Sequence, residues 1–201
     1  MALGDNYATT AELKTRLGVT DANDDTLLGQ ALSAASVGIN KFCRRQFNDA
    51  GSASARVYYP LHNRLVLVDD FHTTTGLVVK SDSSDSGTFD LTHASTDYQL
   101  EPLNGMQDGV PGWPYWKVRM VDSQTFYGGR RPSVEVTARW GWAAVPPPIK
   151  EATLALAEEV FKMKDSPYGI AGFGDFVVRI RDNPKIAGML TSYRLEAVRV
   201  A

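Results

Sequence analysis

The chain has 201 residues, of which 43% are hydrophobic and 22% charged, and its formal net charge is −2. These fractions are ordinary for a globular protein and exclude a disordered or fibrous chain. The slightly acidic balance argues against a protein whose main task is to grip nucleic acid, because such proteins usually carry a basic face. The single cysteine, Cys43, cannot form an internal disulfide, so we expect synthesis in a reducing compartment, the cytoplasm.

Neither a secretion signal nor a membrane span is predicted. Residues 1–10 lack the basic segment and the apolar run of a signal peptide. No apolar stretch approaches the roughly 18 residues that are needed to span a bilayer. We therefore expect no membrane partner.

Two helices are predicted at the start of the chain. Thr9 and Glu12 have the spacing of a capping box, and Gly18 provides a stop. A second helix is predicted from Asp24 or Asp25, because apolar residues then recur at intervals of three or four. This stripe consists of Leu28, Leu32, Ala35, Ile39 and Phe42. Small residues in the same helix would let another helix approach closely.

The pattern changes between Ala55 and Trp140, where short runs of β-branched and aromatic residues alternate with polar, glycine or proline breaks. The clearest run is Val134 to Trp140, in which apolar and polar residues alternate as in a strand with one buried face. Residues 81–87 are predicted to form an exposed turn and residues 104–114 a long loop. The region is predicted to be a compact antiparallel sheet.

A third helix is predicted after Pro146, because proline is tolerated in a first helical turn. A glycine-rich loop follows at residues 166–174, and a last short helix begins near Pro184. The predicted fold class is α+β, a helical bundle with an inserted antiparallel β-sheet region. The predicted divisions are an N-terminal helical part at 1–54, a β-rich insertion at 55–145, C-terminal helices at 146–190 that complete the bundle, and a tail at 191–201.

No arrangement of residues predicts catalysis, a metal site or a cofactor. The three histidines, His62, His72 and His93, do not have the spacing of metal ligands, and their scatter is typical of surface or loop positions. Asp82 and Asp85 have the wrong spacing for a calcium loop. Cys43 has no nearby histidine to activate it, so it is interpreted as a small core residue rather than a nucleophile.

Four tryptophans, at positions 113, 116, 140 and 142, are the remaining suggestive feature. Trp113 and Trp116, in a predicted loop, could stack a sugar or a nucleotide. Aromatic residues of this kind are more often found in cores and subunit interfaces, and we favour that interpretation.

Three segments of the chain resemble the head–tail connector proteins of long-tailed phages, the adaptor ring bound directly under the portal. They are Tyr7 to Phe47, Arg139 to Pro146, and Phe161 to Gly169 with the loop and short helix that follow. They occur in the family's order and together span nearly the whole chain. The large insertion from Ala55 to Trp140 departs from the smallest, almost wholly helical members. Asn40 stands where an aspartate is often found.

The resemblance implies a structural subunit of the virion, at the head–tail junction, that assembles with copies of itself into a ring, usually dodecameric. It implies a portal protein and a downstream neck, stopper or tail protein as partners. Genomic DNA would pass through the ring without sequence-specific binding, which agrees with the near-neutral charge.

Two groups of contact residues are predicted on this basis. The first, at a subunit interface, contains Trp140, Trp142, Ser166, Pro167, Tyr168, Gly169, Gly172, Phe173 and Gly174. The second, which would dock onto the portal by ordering on binding, contains Tyr193, Leu195, Val198 and Val200.

Two other classes of protein stay open at this point. A carbohydrate- or receptor-binding virion module would use the aromatic-rich β region, and it predicts that a sugar quenches the fluorescence of Trp113 and Trp116. A DNA-packaging accessory protein predicts salt-sensitive DNA binding, which the acidic balance disfavours.

Overall fold

A computed structural model describes residues 3–128, 131–163, 180 and 183–195. The described residues divide into two compact units. Residue 3 and residues 49–143 form the first, the β unit. Residues 4–48 and the described residues from 144 onward form the second, the helical unit. The domain division at residues 54, 145 and 190 stays a prediction.

Four helices are described in the helical unit, and each begins near a residue that the sequence marks as a helix start. They are α1 (Thr10–Leu17), α2 (Asp25–Cys43), α3 (Pro147–Lys162) and α4 (Pro184–Thr191). The capping box before α1 is confirmed, because the Thr9 hydroxyl accepts the N–H of Glu12 at 3.2 Å and the Glu12 carboxylate accepts the N–H of Thr9 at 2.8 Å.

The core of the helical unit forms where α2 packs against α3. The predicted stripe of α2, from Leu28 to Phe42, is buried, as are Ile149 and Leu156 of α3. Helix α1 contacts both of these helices, and α4 packs mainly on α3. Small buried residues of α2, such as Ala31 and Ala35, leave room for a close approach between helices.

Ion pairs fasten α1 to α3. The Nζ of Lys150 lies 2.6 Å from a Glu12 oxygen, and Arg16 reaches Glu151 at 2.6 Å and Glu158 at 2.7 Å. The hydrogen bond from Lys150, together with that from the backbone of Thr9, lowers the pKa of Glu12 to about 2. These contacts fix the position of α1 on the apolar core below it.

Ten strands are described in the β unit, all paired antiparallel. They are β1 (Ser54–Tyr58), β2 (Pro60–His62), β3 (Leu65–Phe71), β4 (Val78–Ser81), β5 (Leu91–His93), β6 (Tyr98–Glu101), β7 (Met106–Gln107), β8 (Val110–Pro111), β9 (Tyr115–Met120) and β10 (Val134–Ala138). Two four-stranded sheets have the orders β1-β10-β4-β5 and β2-β3-β9-β6, and β7 pairs with β8.

The two sheets share one apolar core. Strands β3 and β9 contribute side chains from one sheet, and β4 and β10 from the other. The predicted alternation of β10 is confirmed, because Val134, Val136 and Ala138 are buried while Glu135 and Thr137 are partly exposed. Together with the helices, these sheets establish an α+β fold class.

Three local predictions in the β unit are wrong in whole or in part. Residues 104–114 contain a short 3₁₀ turn and the β7–β8 pair, where a long loop was expected. In the turn predicted to be exposed, residues 83–87 are exposed or partly exposed, but Asp82 is buried, and its carboxylate accepts the backbone N–H groups of Ser84, Ser86 and Gly87. His93 is also buried, where a surface or loop position was expected.

Across the ranges that the structure describes, no helix is both long enough and apolar enough to cross a membrane.

Candidate assembly surface

A short hairpin, β7–β8, projects apolar side chains from the β unit. Asp108 and Gly109 connect its strands with φ of +52° and +78°, the left-handed values that a tight hairpin turn of the I′ type requires at both central positions. Met106 pairs with Pro111 and Gln107 with Val110. A register set by such a turn gives the hairpin one defined shape.

The hairpin and the turn before it carry three exposed large apolar residues, which we call the apolar tip. Leu103 is 54% exposed, Met106 46% and Val110 53%. Met106 and Val110 occupy neighbouring pairs of the ladder, so they project to opposite faces of the hairpin. A group of exposed apolar side chains of this kind is a candidate site for contact with another protein.

The base of the hairpin is held by close backbone packing. The N–H of Trp113 donates to the carbonyl of Gly105 at 2.9 Å. Gly105 has a φ of +60°, and a Cβ at this position would lie 3.1 Å from the carbonyl oxygen of Trp113. Glycine is therefore required here both by the conformation and by the space.

Aromatic packing continues below this base. The ring of Trp113, which is 6% exposed, meets the ring of Trp142 edge-on with centroids 5.0 Å apart. The Nε1 of Trp142 donates to a carboxylate oxygen of Asp70 at 3.0 Å. The apolar tip therefore stands on a buried, hydrogen-bonded aromatic support.

The predicted interface tryptophans are both buried inside the β unit. Trp140 is 1% exposed, its Nε1 donates to the Ser54 carbonyl at 2.8 Å, and the guanidinium of Arg56 lies 4.6 Å from its ring centroid. Trp142 supports the hairpin as described above. Their direct role at a subunit interface stays a prediction. The other predicted members, Ser166, Pro167, Tyr168, Gly169, Gly172, Phe173 and Gly174, lie outside the described residues.

The predicted portal-docking residues are only partly described. The ring of Tyr193 lies edge-on to Phe47 with centroids 5.9 Å apart, and the N–H of Leu195 donates to the carbonyl of Cys43 at 2.8 Å. The beginning of the tail is thus fastened to the end of α2. Val198 and Val200 lie outside the described residues.

In the β unit, charged side chains form ion pairs at the surface, and turn carboxylates accept backbone N–H groups. The guanidinium of Arg119 lies 2.6 Å from Glu101, and this hydrogen bond is the main reason why the pKa of Glu101 is lowered. Backbone N–H groups, that of Ser84 foremost, likewise lower the pKa of Asp82. Within the described ranges, no group of three or more His, Cys, Asp or Glu side chains is placed to hold a metal ion.

The apolar tip was not predicted from the sequence. Asp108-Gly109 is a strong short-range signal for a two-residue hairpin turn, and it lies between Met106 and Val110. Strands of only two residues show no alternating pattern, which is why the whole segment resembled a loop. The exposure of Leu103 has no signal in the sequence.

A family model described as phage gp6-like head-tail connector protein matches residues 7–99. The match confirms the resemblance to head–tail connectors that the sequence indicates, and thereby the class of viral, phage-like structural proteins.

Solved structures of gene transfer agent (GTA) particles contain chains of the same fold. A chain of the "neck of empty GTA particle computed with C6 symmetry" has 17% sequence identity and a TM-score of 0.57, with 96% of this chain and 91% of that chain covered. A chain of the "virion of native gene transfer agent (GTA) particle" has 16% identity, a TM-score of 0.55 and the same coverage of 96% and 91%. At these identities the likeness concerns the fold alone. A comparison with curated proteins gave no match.

Proposed function

We propose that the chain is a head–tail connector subunit of a tailed phage or phage-like particle. It forms a ring under the portal, at the head–tail junction, and catalyses no reaction. The connector family match over residues 7–99 supports this role. The fold shared with a chain of a neck computed with sixfold symmetry agrees with a ring. In this proposal the helices form the bundle common to the family, and the β unit is the insertion.

The family match carries the connector role, and the exposed apolar tip is the surface that we propose for the contact between ring subunits. A ring requires heterologous contacts, in which one surface of a subunit meets a different surface of its neighbour. A rigid hairpin with Leu103, Met106 and Val110 exposed is suited to such a contact. Burial of each side chain in a neighbour would contribute roughly 1.5–3 kcal/mol if it were complete.

The remaining partners follow from the position in the particle. The ring, dodecameric as the family resemblance implies, binds the portal protein on one side and a neck, stopper or tail protein on the other. Genomic DNA slides through the lumen without sequence-specific binding, because a net charge of −2 provides no excess of cations to hold it.

The carbohydrate-binding alternative is disfavoured by the positions of its aromatic residues. Trp113 is buried against Trp142, so its face is not open to a sugar ring. The Nζ of Lys117 lies 4.1 Å from the ring centroid of Trp116 and covers one face of that ring. A sugar that stacked on this face would have to displace the lysine.

The tail is proposed to dock onto the portal through residues beyond its fastened start. Since Tyr193 and Leu195 already contact the end of α2, a truncation that removes only residues 196–201 leaves those contacts in place. We expect this truncation to weaken portal attachment without changing the helical circular-dichroism signal. Unchanged attachment of the truncated protein would exclude the docking role.

The function is tested by complementation with charged substitutions at the apolar tip. The variant Met106→Asp/Val110→Asp is expressed in cells that produce a particle whose own copy of the gene is disrupted. We expect heads and tails that fail to join, because buried carboxylates at the contact are costly. The matched control is Leu91→Asp, a residue of β5 that is 43% exposed, which should restore joined particles. If both variants are folded, as judged by circular dichroism, and both restore head–tail joining equally, the tip is not the contact between ring subunits.

A further inference from the structure

Helix α2 has an exposed face that includes large apolar residues. Leu27 is 45% exposed and Val37 47%, whereas the opposite face of the helix is buried in the helical unit. Gln30, Ser33 and Lys41 are exposed along the same side. These residues recur at intervals of three or four, so they form one continuous stripe along the helix.

The two ends of α2 carry opposite charge. Asp21, Asp24 and Asp25 lie at or just before its start, while Lys41 and Arg44 lie at its end. Lys14 pairs with Asp25 at 2.8 Å, so the excess negative charge at the start comes from the other two aspartates. Arg194 adds a cation at this end, since its guanidinium lies 5.6 Å from the ring centroid of Phe42. Each end therefore attracts the other end of an identical helix.

The apolar residues have the same symmetry as the charges. Leu27 lies five residues before Leu32, and Val37 lies five residues after it. A copy of α2 that runs antiparallel, related by a twofold axis near residue 32, would place Leu27 against Val37 of the second copy. Ser33 and Ala34, beside this axis, are small enough to let the two helices approach closely.

We propose that a second copy of this chain docks antiparallel on the exposed face of α2 and forms a twofold-symmetric dimer. Such an isologous contact uses the same surface of both subunits, and the charge pattern of α2 is complementary to itself only in this direction. A helix of 19 residues is about 28 Å long, so the contact is smaller than a standard stable interface. The dimer is therefore weak and salt-sensitive.

The dimer goes beyond the proposed ring function and does not depend on it. All subunits of a ring around one axis point in the same direction along that axis, whereas the two copies in this dimer point in opposite directions. The contact therefore belongs to the free protein. Under the connector proposal the dimer dissociates before a subunit enters the ring. Until then, the dimer keeps free subunits from assembling away from the portal.

The first test exchanges the charges at the two ends of α2. One variant carries Lys41→Glu and Arg44→Glu, and the other carries Asp21→Lys, Asp25→Lys and Thr26→Lys, all at exposed positions. Sedimentation at low salt and at about 1 mM protein should show a dimer for the unchanged chain. Each variant alone should be monomeric, because both of its contacts join like charges. Their equimolar mixture should again form dimers, since both contacts then join opposite charges.

The second test measures the direction of the helices with spin labels attached at Gly29→Cys or Thr26→Cys, positions that carry neither the charge pairs nor the close approach at the axis. Along the helix axis, the two labels of an antiparallel dimer are offset by about 9 Å at residue 29 and about 18 Å at residue 26. The native Cys43 is buried, so we expect it not to take up the label.

Three results would overturn the inference. The first is a monomer for the unchanged chain at every concentration, and the second is a mixture of the charge variants that stays monomeric. The third is an equal, short distance at both labels, which indicates parallel helices. None of these results bears on head–tail joining, so a failure of the dimer and a failure of the connector proposal are distinguishable.

Discussion

The buried hydroxyl of Tyr7 donates a hydrogen bond to Oδ1 of Asn40 and accepts one from the N–H of Phe47 at 3.0 Å. The N–H of Tyr7 itself donates to the hydroxyl of Ser36 at 3.2 Å. One side chain thus joins the segment before α1 to the last turns of α2 and to the chain beyond it. Burial raises the pKa of Tyr7 to about 12, so the hydroxyl keeps its proton as a donor.

Tyr7→Phe should lower the free energy of unfolding of the helical unit by about 1–3 kcal/mol, because it leaves buried polar groups of Asn40 and Phe47 unsatisfied. The helical circular-dichroism signal in a urea titration measures this change. Tyr59→Phe is the matched control, because Tyr59 is 61% exposed, and it should change stability by less than about 0.5 kcal/mol. Equal stability of the two variants would show that the buried hydroxyl contributes nothing.

The stability of the β unit should fall when the pH drops below about 6.5, the ordinary pKa of histidine. Burial lowers the pKa of His93, whose Nε2 lies 2.8 Å from the hydroxyl of Ser81. The unfolded chain therefore binds the proton at a higher pH than the folded one. Stability is unaffected by this group above that pH, and it falls progressively as the pH decreases through the lowered folded pKa.

Tryptophan fluorescence measures this effect, since all four tryptophans belong to the β unit. His93→Gln should reduce the loss of stability between pH 7.5 and pH 5.5, values chosen about one unit to either side of the ordinary pKa. The control is His62→Gln, at an exposed position, which should leave the loss unchanged. The same loss in both variants would assign it to other groups.

Gly105→Ala should destabilise the hairpin more than Gly112→Ala does. Both glycines have a positive φ, so both substitutions carry a strain of about 1–2 kcal/mol. Only at Gly105 does the added Cβ also press on a backbone atom, the Trp113 carbonyl oxygen at 3.1 Å. Limited proteolysis at the β7–β8 turn, followed by mass spectrometry, should show faster cleavage of the Gly105 variant. Equal cleavage of both variants would contradict the close packing at the base.

Cys43 should be inert in the folded protein. It is buried, and burial raises the pKa of its thiol to about 12, so almost no thiolate is present near neutral pH. We expect reaction with a maleimide to be slow in buffer and fast in denaturing urea, with mass spectrometry as the measurement. Rapid labelling in buffer would show that the packing between α2 and Leu195 opens readily.

Local sequence signals predicted much of the fold. The Thr9–Glu12 capping box, the stripe of α2 and the alternation of β10 each rest on neighbouring residues, and each is found in the structure. The order of strands was beyond such reasoning. The pairing of β10 with both β1 and β4 joins segments far apart in the chain, and no local pattern encodes it.

The candidate surface was harder to predict than the fold. Trp140 and Trp142 were expected at an interface, and the structure places both in the interior, where Ser54 and Asp70 accept their N–H groups. A tryptophan side chain, aromatic with one polar N–H, suits both a protein core and a subunit interface, so the sequence alone cannot distinguish the two locations. The exposure of the apolar tip depends on tertiary structure alone.

The most direct measurement of the central claim is electron microscopy of lysates from a particle in which this gene is disrupted. The connector proposal predicts separate heads and finished tails that fail to join, with joining restored when the unchanged chain is supplied. Complete, joined particles in the absence of the protein would contradict the proposal, and the carbohydrate-binding alternative would then have to be tested first.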